Sequence, residues 1–278
     1  MRKVAKRGLI QWLLLGGVCC TSSVQALTWN DNYLGYRYGS AFSEPTLTPA
    51  ISKHIFSYTH ASGYTYGSNF LSVDVLRSDL NDPAANSSRG ATEFYGVYRH
   101  KLSLSAISGR SFAIGALRDV GLTLGADWGS KDDTFAARPH KLRVGPTLSF
   151  AVPGFLDVGV YLQQEWNHNG IMGKDVSFAA APLLGAVWNI KFDESALPLE
   201  FKGFLDYSGP KGKDGFGSDT RDELLMRVFV MADVSSWFGS KNTLWIGPGY
   251  EYWHNKFGNQ PGVGTRASTP MMNVEFHL

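Results

Sequence analysis

KLRVGPTLSFAVPGFLDVGVYLQQEW, Lys141 to Trp166, decides how the rest of the chain is read. Leu142, Val144, Pro146, Leu148 and Phe150 share one parity, while Lys141, Arg143, Gly145, Thr147 and Ser149 share the other. A period of two is the signature of a strand, whose successive side chains point to opposite faces. After the breaker Val152-Pro153-Gly154 the alternation resumes, with Leu156, Val158, Val160 and Leu162 set against Asp157, Gly159, Tyr161, Gln163 and Glu165. Two such runs joined by a tight turn make an antiparallel hairpin. Each is about ten residues long with one apolar and one polar face, the length and pattern of a strand that crosses a bilayer at a tilt of about 45°.

Working outward, twelve segments carry this character. They run from about Thr28 to Gly39, Ser52 to Ser62, Ser68 to Ser78, Thr92 to Ser103 and Asp119 to Ser130, then through the opening hairpin. Val176 to Ile190, Leu199 to Tyr207, Asp222 to Val234, Asn242 to His254 and Thr269 to Leu278 complete the set. An even number suits a closed all-β transmembrane antiparallel barrel of twelve strands with both termini periplasmic. The connections test the count separately, since such barrels alternate long external loops with short internal turns. Odd-numbered strands are followed by long polar stretches: 40–51, 79–91, 131–139, 168–175, 208–221 and 255–268. Even-numbered strands are followed mostly by short ones, except Leu104 to Arg118, which has room for a small helical turn. Phe56 and Tyr58 share a face with His54 and His60, so parity leaves the second strand open, and the fourth likewise.

The first 26 residues read differently. Arg2, Lys3, Lys6 and Arg7 precede an apolar run from Gly8 to Val18, and Val24-Gln25-Ala26 fits a signal-peptidase site. The expectation is a cleaved signal peptide at 1–26 and a single barrel domain at 27–278. Both cysteines, Cys19 and Cys20, leave with the signal, which excludes a disulfide framework or thiolate metal site in the exported chain. Removing four basic residues takes Lys+Arg from 26 to 22 against 24 Asp+Glu, so the charge turns to −2 and nothing points to a nucleic-acid surface. The last strand sets Met272, Val274, Phe276 and Leu278 against Asn273, Glu275 and His277, an end of the kind that barrel-assembly machinery reads. Trp128, Trp166, Trp188, Tyr207, Trp237, Tyr250 and Tyr252 fall at strand ends, where aromatic girdles meet lipid headgroups.

With the apolar parity turned to lipid, the lumen receives charges of both signs, among them Glu93, Arg99, Arg143 and Glu165. It also receives the rings of Tyr95, Tyr161, Phe204, Phe229 and Trp245. Rings in a wet lumen offer stacking faces at about 1 to 3 kcal/mol per base, and carboxylates and guanidiniums hydrogen-bond sugar hydroxyls. The mixture fits a passive channel for a neutral, ring-bearing, polyhydroxylated solute. A conducting site must bind weakly.

Four segments, GATEFYGVYRHKLSLS (Gly90 to Ser105), LRDVGLTLGADW (Leu117 to Trp128), GFLDVGVYLQQEWNHNG (Gly154 to Gly170) and IGPGYEYWHNKFG (Ile246 to Gly258), resemble the nucleoside-specific channel-forming outer-membrane family, the Tsx-like group, and within it the OmpK branch. The resemblance implies a monomeric twelve-stranded outer-membrane barrel without cofactor that passes nucleosides and deoxynucleosides. It also implies external loops that serve as phage or colicin receptors.

Two rival classes are a structural or receptor barrel without selective transport and a lipid-modifying enzyme. His168, in Trp166-Asn167-His168-Asn169-Gly170, is the nearest thing to a catalytic histidine, but no serine follows at a suitable spacing. The loop Gly209 to Thr220 lacks both the phosphate-cradle and the calcium-loop spacing. The seven histidines show no paired spacing for a metal. The expectation is therefore a channel and not an enzyme.

Overall fold

The computed structural model describes residues 27–192 and 197–278. The expected signal peptide lies outside these residues. The alternating segments become β1 (Trp29–Phe42), β2 (Ile51–Tyr64), β3 (Gly67–Ser78), β4 (Thr92–Ser103), β5 (Leu117–Lys131), β6 (His140–Phe150) and β7 (Gly154–Asn169). They continue as β8 (Lys174–Ser177), β9 (Ala181–Phe192), β10 (Leu199–Ser208), β11 (Glu223–Asp233), β12 (Leu244–His254) and β13 (Ala267–His277). Each strand pairs antiparallel with its neighbours, β1 pairs with β13, and the β6–β7 pairing closes the ring. Closure leaves the sheet no free edge.

The thirteen strands make twelve staves, because β8 and β9 lie end to end along β7. The single eighth strand expected over Val176 to Ile190 is broken at 178–180. There the Phe178 N–H donates to the Glu165 carbonyl and the Ala179 N–H to the Lys211 carbonyl, while the Lys211 ammonium sits 4.4 Å from the centre of the Phe178 ring. A loop thus takes the hydrogen bond that the ladder would have used. The expected helical turn is α1 (Leu104–Ser108), opened by the Ser103 hydroxyl accepting from the Ala106 N–H and ended by Gly109 in the left-handed region.

The outside is apolar. Leu142, Val144, Leu148, Val160 and Leu162 all point outward, with Leu162 57% exposed, while Arg143, Thr147, Ser149, Gln163 and Glu165 are buried inside. Large hydrophobic side chains exposed around the barrel are stable only against lipid. β2 resolves its ambiguous parity by sending Lys53, Ile55, Ser57 and Thr59 inward and His54, Phe56, Tyr58 and His60 outward. His60, and His100 on β4, share acceptors with neighbouring tyrosines. Asn32 Oδ1 takes the Tyr58 hydroxyl at 3.1 Å and faces His60 Nδ1 at 2.7 Å, and Asn69 Oδ1 does the same for Tyr98 at 2.9 Å and His100 at 2.8 Å. Both ends of the described chain lie at the short-turn rim, since Trp29 and His277 border the turn ends of their strands.

Candidate functional site

Every one of the nine lumen residues expected from parity, Tyr95, Tyr161, Phe204, Phe229, Trp245, Glu93, Arg99, Arg143 and Glu165, lies on an inward-facing position. They do not form one site. The interior divides into an apolar cluster, two ionic arcs and a charged mouth.

The apolar cluster fills the wall of β1, β2 and β11 to β13. Phe42, Ile51, Ile55, Phe229, Met231, Trp245 and Met271 meet there, joined by Leu47 and Leu76. Phe229 and Trp245 are only 8% and 5% exposed. These two rings are packing groups in the structure, and their faces are covered by neighbours. Parity places them inside correctly, but it does not reveal that inward apolar residues from five strands meet.

The first ionic arc spans the lumen. Arg37 on β1 reaches over Ser57 of β2 to Asp74 on β3 at 2.5 Å. Arg227 on β11 donates two hydrogen bonds to Glu251 on β12, at 2.8 and 2.7 Å, and its third nitrogen lies 3.7 Å from the same Asp74 oxygen. β3 and β11 are separated by four strands on one side, so this contact crosses the interior. Those four strands, β2, β1, β13 and β12, carry most of the apolar cluster. The arc therefore walls that cluster off from the rest of the lumen.

The second arc lines the opposite side. Arg99 on β4 pairs with Asp127 on β5, Arg143 on β6 lies 3.6 Å from Asp127, and Arg143 reaches Asp206 on β10 at 3.0 Å. Gly125 makes this possible: a Cβ there would stand 2.7 Å from Arg143 Cγ and 2.8 Å from Arg99 Cδ. Tyr95 donates its hydroxyl to Asp127 at 3.1 Å, and its ring lies over Gly129. The Tyr161 ring lies against Gly159 and Gly185, with its hydroxyl 3.1 Å from Thr147, which is 2.7 Å from Thr123. Phe204 projects beneath the Arg227 guanidinium, 5.6 Å from its ring centre.

The two arcs line a polar region of the interior, the polar crescent. Its walls hold alternating guanidiniums and carboxylates, a ladder of hydroxyls, and rings backed by glycine. Several polar atoms there are buried without a hydrogen-bond partner: Arg37 Nε, Ser57 Oγ, Asp74 Oδ1 and Arg143 Nε. Each is a buried donor or acceptor whose desolvation no protein partner offsets.

At the long-loop mouth, charges from the loops meet charges from the wall. Glu165 takes Lys211 of the loop after β10 at 2.5 Å and lies 3.7 Å from Lys141. Glu93 lies 3.6 Å from Lys53, which donates to Glu44 of the loop after β1 at 2.6 Å. Glu44 is a loop group whose burial alone would raise its pKa, but Lys256, Lys53 and Lys131 outweigh burial and hold the carboxyl well below the usual range. Lys256 is pushed down, first by burial and then by Lys53, against the pull of Glu44. Sequence reading did not single out Arg37, Asp74, Glu44 or Lys256 as site residues. For Arg37 the signal was present, since Gly35, Arg37 and Gly39 share a parity. His168 pairs with the exposed Asp175 at 2.7 Å.

No family model matches this sequence, and no curated protein matches it. Among solved structures, the translocator domain of the autotransporter NalP from Neisseria meningitidis is similar at 13% identity, over 90% of this chain and 89% of that one, with a TM-score of 0.45. The NanC porin is similar at 11% identity, over 91% of this chain and 100% of that one, with the same TM-score of 0.45. An anion-selective porin from Comamonas acidovorans is similar at 8% identity over 91% and 100% of the two chains, with a TM-score of 0.34. Each figure describes a likeness in outline between barrels.

Proposed function

We propose that this protein is an integral outer-membrane channel for the passive, selective diffusion of nucleosides and deoxynucleosides. It is exported by a cleaved signal, inserted by the barrel-assembly machinery with both termini in the periplasm, and works as a monomer without cofactor or covalent step. The observation that carries this reading is the polar crescent. Its rings suit a planar base, and its guanidiniums and carboxylates suit a sugar's hydroxyls. Guanidiniums and carboxylates alternate around it, so neither a free anion nor a free cation finds a run of opposite charge. The contact set that this geometry favours is Tyr95, Tyr161 and Phe204, with Arg99 and Arg143 orienting the sugar. Glu93 and Glu165 stand at the mouth, where a solute arrives.

Purified protein in planar lipid bilayers tests this. Small conductance steps should be reduced by added nucleosides and left unchanged by equal concentrations of ribose or glucose. Steps indifferent to nucleosides would remove the selectivity, and absence of any conductance would remove the channel.

A second reading is favoured by the mouth. The loops there are fastened to one another, as by the Gly170 N–H to the Phe135 carbonyl at 2.7 Å and the Ala85 N–H to the Asp132 carbonyl at 2.8 Å. A fixed outer surface of this kind suits a phage or colicin receptor, and loss of adsorption on exchanging these loops would support it.

A further inference from the structure

We infer that the loop after β1, residues 43–50, is a lid latched over the lumen by the Glu44 carboxylate. The inference rests on the channel reading. One oxygen, Glu44 Oε1, receives three ammoniums: Lys53 at 2.6 Å, Lys256 at 3.1 Å and Lys131 at 3.6 Å. Lys53 and Lys131 belong to the wall, on β2 and β5. Lys256 belongs to the loop after β12, residues 255–266, and its ammonium also donates to the Ser43 carbonyl at 2.8 Å. The two loops touch again where the Thr46 N–H donates to the Val263 carbonyl at 2.9 Å. Glu44 is 5% exposed and Lys256 3%.

What makes this a latch rather than a brace is the asymmetry of its partners. If Glu44 loses its charge, Lys131 keeps Asp82 at 2.9 Å and Asp133 at 3.0 Å, and Lys53 keeps Glu93 at 3.6 Å and Asp82 at 3.8 Å. The wall stays balanced. Among the described residues Lys256 has no other carboxylate within ion-pair distance, so it is left buried with only the Ser43 carbonyl and the Trp253 and Phe257 rings against its ammonium, which is costly for a charge. The strain falls on the two loops and not on the barrel. Phe42 and Ile51, both in the apolar cluster, anchor the two ends of residues 43–50, so the segment between them pivots while the strands hold. Leu47, packed against that cluster, is the apolar contact that must come away.

Channels of Glu44→Gln should show an open fraction raised by about tenfold or more over the parent, and Lys256→Met, which leaves Glu44 to Lys53 and Lys131, a smaller rise. The exposed loop pair Lys213 and Asp219 serves as the control: Lys213→Ala should change nothing. Independently of conductance, a cysteine at Leu47→Cys should react with a maleimide faster in the Glu44→Gln background. Adding Thr46→Cys with Val263→Cys to Glu44→Gln should return the open fraction to the parental level when oxidised, and release it on reduction. If the parent conducts with nucleoside block, but Glu44→Gln and Lys256→Met leave both open fraction and labelling unchanged, the lid is overturned and the channel stands. If nothing conducts, the channel reading fails, while the labelling rate still decides whether Glu44 holds the loop.

Discussion

Tyr161 shows what a single lumen residue needs in order to act on a solute. Its ring rests on Gly159 and Gly185 and its hydroxyl is held by Thr147. A ring held this way loses little entropy when a base stacks on it. Tyr161→Ala should therefore raise the nucleoside concentration for half-block by about tenfold, the equivalent of one stacking contact, with conductance in plain salt unchanged or slightly larger. The same should not hold for Phe229→Leu, whose ring lies in the apolar cluster and whose loss is read in stability. Gly125 makes the opposite demand. Gly125→Val should push Arg99 and Arg143 apart, and block by nucleosides should weaken without loss of the barrel, as followed by circular dichroism. The inwardness of Tyr161 and Arg143 was legible because a strand's parity is local. Their partners were not, since Arg143 on β6 meets Asp206 on β10 only across the two intervening strands β7 and β9.

At the scale of elements, the alternation located twelve staves to within about three residues at each end, and the loops of alternating length supported the count. Two features lay beyond it. The break between β8 and β9 arises because the Lys211 carbonyl claims the Ala179 N–H, a contact made from the far end of β10 that no local pattern carries. The parity of β2 and β4 was obscured because histidine reads as polar, although His60 and His100 face outward with Asn32 and Asn69 as partners. In each hairpin a Tyr-x-His pair on the second strand shares one asparagine on the first. Asn32→Leu should leave the Tyr58 and His60 groups without that acceptor at the membrane face, lowering stability by about 1 to 2 kcal/mol, measurable as a lower urea midpoint in detergent. The loops yield a prediction in pH. A carboxylate whose folded pKa is depressed adds stability that is complete above its unfolded pKa, about 4.3, and is lost as pH falls through the folded value. Glu44 is such a group, faced by Lys53, Lys131 and Lys256 with Glu93, Asp82 and Asp133 behind them. The mouth should thus stay latched from pH 7 to pH 5, with single-channel open fraction flat across that range, and loosen only below about pH 4.

For the whole molecule, the distribution of charge decides more than its total. The lumen sets guanidinium against carboxylate at nearly every turn, so the fields cancel within a few ångströms and little long-range steering of ions remains. Such an interior should be weakly ion-selective, and a salt gradient across a bilayer should give a reversal potential near zero. The arc through Asp74 makes that balance easy to tip, because one carboxylate serves two guanidiniums from different strands, β1 and β11. Asp74→Asn leaves Arg37 and Arg227 facing the crescent with Glu251 as the remaining counter-charge, and the reversal potential should move toward anion preference. Arg227→Gln frees Glu251 instead and leaves Asp74 to Arg37 alone, and the shift should have the opposite sign. Both variants also cut the one described tie between β3 and β11. Solute path and apolar cluster then lose the partition between them, and bulkier solutes that the parent excludes should begin to block. Shifts of the same sign in the two variants would mean that these side chains do not line the path, and the crescent would have to lie elsewhere in the barrel.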